Sequence, residues 1–461
     1  MRRSTVRRRV ALGVLAVTLA GAGYLYGFAS HRYEIFPHDQ LMTAWRMAKS
    51  TMRGEEVRQE PLRGRWRAAP DGAAHDAARQ DAERLGAIPY LSGYRPAGDT
   101  SGVTVWAREE AQDGLNLVVS GHGTEALLLA MDGEPVHRWR LPPVGEWSDD
   151  GPPADFDQPH TNYDFWRRAL PLPGGDLLAI YEGAGVVRMD VRSRLRWSAW
   201  NGAHHDLALD PTRDGELAVL VRAPRVVERF GSRPILDDAV AWLDLETGDE
   251  LRRVWISDAL RDSDYAALAE SVDLSDAAFA HHRGDLFHTN TLSVLDGRFA
   301  EIHPAFAAGH ILVSLRELDT IAVIDPASGR VVWALTGLWH RQHEPTLVAP
   351  GRLLIFDNLA GGSAAEASRV VEVDPTTHAI VWSLDQGLFS RQLGAAHRLA
   401  NGNTLVVESE AGRAVEVTPA REIVWEWRSP YRAGDNDELV ATLCDLVRLE
   451  PSYLDGLRPS R

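Results

Sequence analysis

The chain has 461 residues, of which 44% are hydrophobic and 25% are charged, and this composition is that of a folded protein rather than a disordered or collagen-like one. Acidic side chains outnumber basic ones by 65 to 49, and the net charge of −16 argues against the basic surface that binds nucleic acid. A single cysteine, Cys444, excludes an intramolecular disulfide and any multi-cysteine zinc or iron–sulfur site. We therefore expect no nucleic-acid partner, and a metal site would have to use histidine and carboxylate ligands.

The first thirty residues have the composition of a membrane-targeting segment. Five arginines lie within positions 2–9, and an uncharged run extends from Val10 to Ser30. That run is close to the roughly 20 residues that an α-helix needs to cross a bilayer, and longer than the roughly 7–15 of a signal-peptide core. We predict an uncleaved transmembrane helix within residues 1–30, with the remainder on the periplasmic or extracytoplasmic side because the arginines stay in the cytoplasm. A cleaved signal peptide is the alternative.

Helical patterns follow the apolar run and return at the end of the chain. Residues 35–95 are rich in Ala, Arg and Glu, with apolar residues at helical spacing, namely Leu41, Trp45 and Met52. Near the C-terminus the helical spacing involves Leu439, Leu443, Leu446 and Val447. We predict a helical spacer over residues 31–100, which links the membrane to the domain, and a helical tail over residues 436–461.

From Gly102 onward, short β-branched and aromatic runs alternate with Gly, Pro, Asp and Asn, which is typical of an all-β protein. A turn is followed six times by a strand that ends in tryptophan, at Trp139, Trp197, Trp255, Trp333, Trp382 and Trp425. The intervals are 58, 58, 78, 49 and 43 residues, and we assign the longest to a helical insertion at Ser257–Ala278. A unit of about 40–50 residues with inserted loops indicates four-stranded blades. The fold predicted for residues 101–435 is therefore an all-β, six-bladed β-propeller.

The repeated tryptophans are most simply packing residues between neighbouring blades. The repeat, as in Asp244-Leu245-Glu246-Thr247-Gly248, also resembles the docking motif of pyrroloquinoline quinone dehydrogenases. Those enzymes usually have eight repeats and often a vicinal cysteine pair, and this chain has neither. The repeat therefore favours a propeller more than a quinone, and we expect no cofactor.

Histidines recur after the tryptophan strands, where the next repeat begins: His160, His204, His205, His288, His343 and His397. Because the innermost strand of each propeller blade lines the channel, equivalent positions in successive blades converge at one end of the axis. Clustered imidazoles disfavour one another's charging and cost desolvation, so packing alone explains them poorly. They indicate either a transition-metal site or a set of nucleophilic and acid–base groups.

The sequence segments around these histidines resemble motifs of the bacterial arylsulfotransferase family and occur in the same order along the chain. The similar segments are His205-Asp206, Asp285-Leu286-Phe287-His288-Thr289-Asn290, Ser314-Leu315-Arg316, Gln342-His343-Glu344-Pro345 and Phe356-Asp357-Asn358. Members of that family are six-bladed propellers that transfer a sulfuryl group from a phenolic sulfate ester to another phenol without a nucleotide donor. The resemblance spans about Gly102–Trp427 and implies an aryl sulfate donor and a phenolic acceptor as partners.

The resemblance also implies roles for individual residues. His343 would be the nucleophile of a ping-pong reaction and would become a transient sulfohistidine. His205 and His288 would flank it, Arg316 would hold sulfate oxygens, and Asn290 would support them. These residue types suit the chemistry, because histidine titrates near pH 6.5 and arginine presents a fork of donors to two sulfonate oxygens. No metal is implied.

Several positions have more than one interpretation. His397 and His160 either line the acceptor pocket or cap a strand, and Glu344 is either an orienting neighbour of His343 or a solvated one. His204 competes with His205, because successive side chains of a strand point to opposite faces. We favour His205, since it precedes Asp206 as in the family motif.

The chain departs from the family's best-known form, which has an N-terminal β-sandwich and a disulfide. Two other functions therefore stay open. One is a propeller that binds a ligand or partner without turnover, and the other is a quinone- or metal-dependent propeller enzyme.

Overall fold

The computed structural model describes residues 64–68, 100–142, 162–272, 274–275, 282, 284–362, 367–385, 387–434, 437 and 439–457. The predicted transmembrane helix within residues 1–30, most of the predicted spacer and His160 lie outside these residues. Within the described ranges, no helix is both long enough and apolar enough to span a membrane.

The regular secondary structure of the described residues is mostly β-strand, as the sequence predicts. In chain order the strands are β1 (Trp66–Ala68), β2 (Gly102–Trp106), β3 (Leu115–Ser120), β4 (Glu125–Leu129), β5 (Pro135–Arg140), β6 (Trp166–Pro171), β7 (Leu177–Tyr181), β8 (Gly185–Met189), β9 (Leu195–Ala199), β10 (Ala203–Leu209), β11 (Glu216–Arg225), β12 (Ile235–Asp244), β13 (Glu250–Trp255) and β14 (Thr289–Val294). They continue with β15 (Ile311–Leu315), β16 (Thr320–Asp325), β17 (Arg330–Thr336), β18 (His343–Ala349), β19 (Arg352–Asp357), β20 (Arg369–Val373), β21 (Ile380–Leu384), β22 (Ala395–Arg398), β23 (Thr404–Glu408), β24 (Arg413–Val417), β25 (Ile423–Arg428), β26 (Arg432–Ala433), β27 (Leu439–Ala441) and β28 (Leu443–Leu449).

The helices of the described residues are short. They are α1 (Ile256–Arg261), α2 (Tyr453–Leu457) and the 3₁₀ turns Glu228–Phe230, Ala266–Ser271, Pro304–Phe306, Arg316–Leu318 and Ser409–Ala411. Helix α1 and the turn at Ala266–Ser271 lie in the insertion that was predicted to be helical.

Apart from β1, β26 and β27, the strands form six antiparallel sheets, in which neighbours in space are neighbours in sequence except where β28 pairs with β3 and β2 pairs with β25. Sheet I has the order β28-β3-β4-β5, sheet II β6-β7-β8-β9, sheet III β10-β11-β12-β13, sheet IV β14-β15-β16-β17, sheet V β18-β19-β20-β21 and sheet VI β22-β23-β24-β25-β2. We call β28, β6, β10, β14, β18 and β22 the first strands. First strands of consecutive sheets contact one another, and β28 of sheet I contacts both β6 of sheet II and β23 of sheet VI.

The repeated tryptophans lie on the last strand of each four-strand unit, namely β5, β9, β13, β17, β21 and β25. The indole N–H groups of Trp139, Trp197, Trp382 and Trp425 donate to carbonyls of the neighbouring sheet, for example from Trp139 to Gly175 at 2.9 Å. Trp139 and Trp425 are fully buried. These contacts give the four tryptophans the packing role that the sequence suggests, because each joins two sheets.

The predicted C-terminal helical tail is wrong over much of its length. Residues 439–441 and 443–449 are strands, and β28 pairs with β3 as the first strand of sheet I. The leucines at helical spacing are buried by sheet pairing that joins the two ends of the fold, which local periodicity does not encode. Sheet I is thus made from both ends of the described chain.

A second correction concerns the predicted spacer. Within residues 31–100 the structure describes a strand, β1, which pairs with β27 in a small sheet of order β1-β27-β26. The Arg67 guanidinium on this strand is buried and lies 3.3 Å from the Glu410 carboxylate. At this point the segment is part of the folded domain rather than a free helix.

Candidate active site

The first strands are irregular where they begin. Pairing registers shift near the start of five of them, after Trp166 in β6, Ala203 in β10, Thr289 in β14, His343 in β18 and Leu443 in β28. The backbone is left-handed at three residues there, with φ of 53° at His205, 47° at His288 and 50° at Glu344. Such bulges redirect side chains, and left-handed φ values at residues other than glycine are strained and cluster at functional sites.

His343 is buried and firmly oriented at the start of β18. Its Nδ1 lies 2.7 Å from Asn358 Oδ1 and 3.1 Å from the Arg341 carbonyl oxygen. The amide NH₂ of Asn358 donates to the carbonyls of Ser390 and Leu393, so its Oδ1 is an acceptor. Nδ1 of His343 therefore carries the proton, and Nε2 keeps a lone pair that accepts no hydrogen bond from the described residues.

His288 is held by a carboxylate from its own turn. Its Nδ1–H donates to Asp285 Oδ2 at 2.7 Å, while its backbone N–H donates to Asp285 Oδ1 at 3.0 Å. The His288 ring lies edge-on to that of His205, with centroids 4.8 Å apart. This carboxylate–histidine pair directs Nε2 of His288 away from Asp285.

The choice between His204 and His205 is visible in the structure. His204 is fully buried and its Nε2 lies 3.3 Å from Asp238 Oδ1. His205 faces His288, and its Nδ1 lies 3.3 Å from Glu182 Oε1 and 2.8 Å from His204 Nδ1. The structure thus brings His205, rather than His204, to the side of His288.

Arg316 begins the 3₁₀ turn after β15 and is largely buried, with 14% of its side chain exposed, so it is not a surface arginine. Its guanidinium donates to Glu317 Oε1 at 2.6 Å, and Arg341 binds the same carboxylate oxygen. Burial lowers the pKa of Arg316, and the charge of Arg341 adds to that effect against the opposing charge of Glu317.

Burial and positive charge keep His343 and His205 neutral. Burial, followed by the charge of Arg316, lowers the pKa of His343 well below its usual value. Burial, followed by the proximity of His288, does the same to the pKa of His205. A neutral imidazole with a free Nε2 is a nucleophile near pH 7. We call His205, His288 and His343 the histidine pocket.

Comparison with known families gives a match over the part of the chain that holds these residues. Residues 201–430, about half of the chain, match the family model described as arylsulfotransferase (ASST). The chain belongs to the arylsulfotransferase family. A search of the curated proteins gives no match. The matched range includes the whole histidine pocket and Arg316.

Solved structures similar to this arylsulfotransferase family member are distant. A protein of unknown function from Bacteroides caccae is 12% identical with a TM-score of 0.44, covering 72% of this chain and 99% of that one. The WD40 β-propeller domain of Doa1 is 11% identical with a TM-score of 0.41, covering 76% and 96%. The Cps50 (Swd1) β-propeller domain of Myceliophteria thermophila is 13% identical with a TM-score of 0.41, covering 74% and 89%. The fold is therefore described from the sheet order of this chain itself.

Asn290 is buried behind the pocket. Its amide nitrogen donates to the Gln342 carbonyl at 2.9 Å, and its Oδ1 accepts from the Thr291 hydroxyl at 3.2 Å. These contacts fix the backbone that leads into His343. A direct contact between Asn290 and substrate stays a prediction.

His397 and Glu344 belong to a neighbouring group of charges, which we call the Arg168 network. Arg168 contacts Asp206 at 2.9 Å, Glu344 at 3.0 Å and Asp445 at 2.6 Å. His397 Nε2 lies 3.2 Å from Asp445 Oδ1. Glu344 thus binds Arg168 rather than orienting the ring of His343, and it is buried rather than solvated. A role for His397 in acceptor binding stays a prediction.

Sequence reasoning missed the charges that surround the histidines. Arg222 lies 3.1 Å from Glu182 and 3.6 Å from Asp285, and Arg167 lies 3.9 Å from Glu182. A repeat signal was available, because Glu182, Arg316, Asn358 and Ser409 each directly follow the second strand of their sheet. Those turns lie at the same end of the sheets as the starts of the first strands.

Glu182, His204 and His205 offer ligand atoms that all lie within 4.8 Å of one another, a separation at which one metal ion can be held. Arg222 and Arg167 already lie beside Glu182, and positive charge there opposes a cation. A separate cavity of about 260 Å³ lies at the far ends of the first strands, lined by residues such as Leu209, Val294 and Leu347. It contains none of the pocket histidines.

Proposed function

We propose that the protein is an aryl-sulfate sulfotransferase that works by a ping-pong mechanism through a sulfohistidine at His343. The main support is the orientation of His343: its Nδ1–H donates to Asn358, and its Nε2 has no hydrogen-bond partner among the described residues. Its lowered pKa leaves that nitrogen unprotonated near neutral pH, because burial and Arg316 disfavour the imidazolium. The family match supports a sulfuryl group as the group that is transferred.

In the first half-reaction, Nε2 of His343 attacks the sulfur of the aryl sulfate as the bond from sulfur to the phenolic oxygen breaks. The leaving phenolate takes a proton from His288, whose charged form is stabilised by Asp285 at 2.7 Å. In the second half-reaction, an acceptor phenol gives its proton to His288 and its oxygen attacks the sulfur. The N–S bond then breaks and His343 returns to its neutral form.

Positive charge beside the pocket suits this transfer. Sulfuryl transfer, like phosphoryl transfer, has a loose transition state with charge on the peripheral and leaving oxygens, so catalysis rests on positioning and electrostatic stabilisation. Arg316 can present two parallel donors to sulfonate oxygens. His205 stays neutral beside His288 and limits where the substrate can sit.

The architecture in the proposal is a six-bladed β-propeller, in which sheets I to VI are the blades and the first strands line the channel. Support comes from the sheet order, from the contacts between consecutive first strands, and from the contacts of β28 with sheets II and VI. The proposal also keeps an N-terminal transmembrane anchor within residues 1–30 and a propeller on the periplasmic side, on the evidence of the arginine and apolar pattern.

The test is incubation of the full chain with 4-nitrophenyl sulfate, with and without phenol, followed by intact-mass analysis and nitrophenol release. We expect an added sulfuryl group that disappears when phenol is supplied. His343→Ala should form no adduct, whereas His378→Asn, at an exposed left-handed residue far from the pocket in sequence, should behave as wild type. Full activity of His343→Ala would refute the mechanism. Sulfate-ester binding without adduct or turnover would instead indicate a ligand-binding propeller.

A further inference from the structure

We infer that Arg167 is a second anion-binding side chain of the active site, which holds the sulfuryl oxygens from sheet II while Arg316 holds them from sheet IV. This inference rests on the proposed function. It adds a residue outside the segments that resemble the family and outside the range 201–430 that matches it.

The backbone explains how Arg167 reaches the pocket. In β6, Trp166 pairs with Tyr181 and Arg168 pairs with Ile180, so Arg167 is the extra residue of a bulge. A regular strand would send Arg167 and Arg168 to opposite faces, but a bulge redirects one of them. Arg168 binds its three carboxylates, whereas Arg167 lies beside Glu182, the carboxylate that contacts His205.

The two neighbouring arginines differ in how well they are paired. Arg168 has three carboxylate contacts of 3.0 Å or less. Arg167 is 4% exposed, and among the described residues its guanidinium has a single ion-pair contact, at 3.9 Å from Glu182, which is too long for a hydrogen bond. A buried guanidinium without hydrogen bonds is costly, so an anion that supplies them is expected.

In the ion pairs that the arginines beside the histidine pocket form, guanidinium groups outnumber carboxylates by one. The ion pairs there join four guanidinium groups to three carboxylates, namely Arg167, Arg222, Arg316 and Arg341 to Glu182, Asp285 and Glu317. Glu182 forms its shorter ion pair with Arg222, at 3.1 Å. Of the four guanidinium groups, that of Arg167 is therefore the one whose charge is least neutralised by a carboxylate. A sulfate monoester carries one negative charge and balances this excess.

Arg167 also acts on the reacting histidines. Its positive charge is among the causes that lower the pKa of His343 and of His205, after burial and the nearer charges of Arg316 and His288 respectively. Arg167 Nε lies 3.9 Å from one oxygen of Glu182, and the other oxygen of that carboxylate lies 3.3 Å from His205 Nδ1, so Arg167 stands on the His205 side of the pocket. A sulfuryl group bound between Arg167 and Arg316 would receive donors on its peripheral oxygens in both half-reactions.

The experiment measures each half-reaction separately in Arg167→Gln and Arg167→Lys. Adduct formation is followed with 4-nitrophenyl sulfate in a single turnover, and adduct decay is followed after addition of phenol. We expect Arg167→Gln to slow both steps by about 10²–10³-fold, the usual effect of losing one anion-binding donor, and Arg167→Lys to recover part of the rate. Arg192→Gln is the control, because Arg192 is an exposed arginine of the same sheet.

Two further readouts separate substrate contact from a structural role. The rate of adduct formation falls at low pH, where His343 becomes protonated. In Arg167→Gln this fall should begin at a higher pH, because removal of the positive charge raises the pKa of His343. Stabilisation of the protein against thermal unfolding by inorganic sulfate should also be lost in Arg167→Gln and kept in Arg192→Gln. A variant that merely unfolds would lower the unfolding temperature without changing the pH at which the rate falls.

The outcomes distinguish the two proposals. If wild type forms the adduct and the rates of Arg167→Gln stay within about threefold of wild type, the loss is well short of the expected one. That result would overturn the role of Arg167 and leave the mechanism standing. Absence of any adduct in wild type would overturn the mechanism. In that case the role of Arg167 is tested by the stabilisation of the protein against thermal unfolding by inorganic sulfate. Stabilisation that is lost in Arg167→Gln supports the anion site, and equal stabilisation of wild type and Arg167→Gln refutes it.

Discussion

The Arg168 network and the histidine pocket are adjacent clusters of buried charge that differ in how completely their polar groups are paired. In the network, one guanidinium is saturated by three carboxylates from sheets I, III and V, so the starts of several first strands are tied together. In the pocket, Arg167 and Nε2 of His343 keep hydrogen-bonding capacity that no described residue uses. The contrast suggests that full pairing builds the scaffold and incomplete pairing leaves room for a ligand.

The histidines of the two clusters differ in the same way. Burial alone would lower the pKa of His397, but its hydrogen bond to Asp445 and the charge of that carboxylate outweigh burial and raise it. In the pocket, burial and the neighbouring cations act together and lower the pKa of His343 and His205. The charged form of histidine is therefore favoured at His397, and the neutral form is favoured at His343 and His205.

The largest effect is expected from the acid–base pair of the pocket. Replacement of His288 by Asn should slow adduct formation from phenyl sulfate by about 10²–10⁴-fold, the usual range for a lost general acid. The loss should be much smaller with 4-nitrophenyl sulfate, because that leaving group needs little protonation. Single-turnover rates against leaving-group pKa measure this, and an equal loss with both esters would argue against proton transfer by His288.

Removal of the cation from the Arg168 network should lower the stability of the protein. Arg168→Met leaves Asp206, Glu344 and Asp445 without their shared cation, so the free energy of unfolding should fall by about 3–5 kcal/mol. Urea denaturation of the full chain measures this change. Arg316→Met serves as the matched variant, and we expect its stability to change much less. Similar losses in the two variants would erase the distinction between scaffold and pocket.

Conservative replacement of the pocket arginine should have an intermediate effect. Arg316→Lys keeps the charge but loses the planar fork, so kcat/KM for an aryl sulfate should fall by about 10–100-fold, less than the loss of a whole donor. The free energy of unfolding should stay close to wild type. Steady-state kinetics beside denaturation checks both, and unchanged kinetics would place the sulfonate oxygens away from Arg316.

The smallest effects are expected in the pH dependence of stability. Unfolded histidines take up protons near pH 6.5, whereas folded His343 and His205 do not, so each lowers stability by up to about 1.4 kcal/mol per pH unit below 6.5 until its folded pKa is reached. His397 has the opposite sign: its stabilisation is present below pH 6.5 and is lost as the pH rises through its raised pKa.

These signs can be separated by mutation. Between pH 7.5 and 5.5, His343→Gln should lose less stability than wild type, and His397→Gln should lose more. Denaturation curves at the two pH values measure both differences. The same direction of change in the two variants would contradict the opposite charge states of the two histidines.

Local patterns in the sequence were sufficient for the all-β class and for the family. The tryptophans were recognisable because they occupy one position of a repeated unit, and the structure places all six on the last strand of that unit. His205, His288, His343 and Arg316 were recognisable because they stand in short segments that resemble a family. These features depend on residue type and spacing, which are readable in order along the chain.

Local patterns failed where distant segments pair. Leu443 and Leu446 have helical spacing but lie on β28, because the open edge of β3, more than 300 residues away in sequence, supplies its hydrogen bonds. Trp66–Ala68 forms a strand for the same reason, through β27. Neither partner is visible from within the segment itself.

The sequence by itself determined the repeat, the strand class and the identity of the chemically capable residues, since side-chain chemistry and hydrophobic spacing are local properties. Only the tertiary structure decided which histidine faces the pocket, which arginine is saturated and which is left with free donors. Those distinctions arise from bulges and left-handed backbone that redirect adjacent side chains such as His204 and His205, or Arg167 and Arg168. They also arise from burial, which fixes the charge of each histidine through neighbours supplied by other sheets.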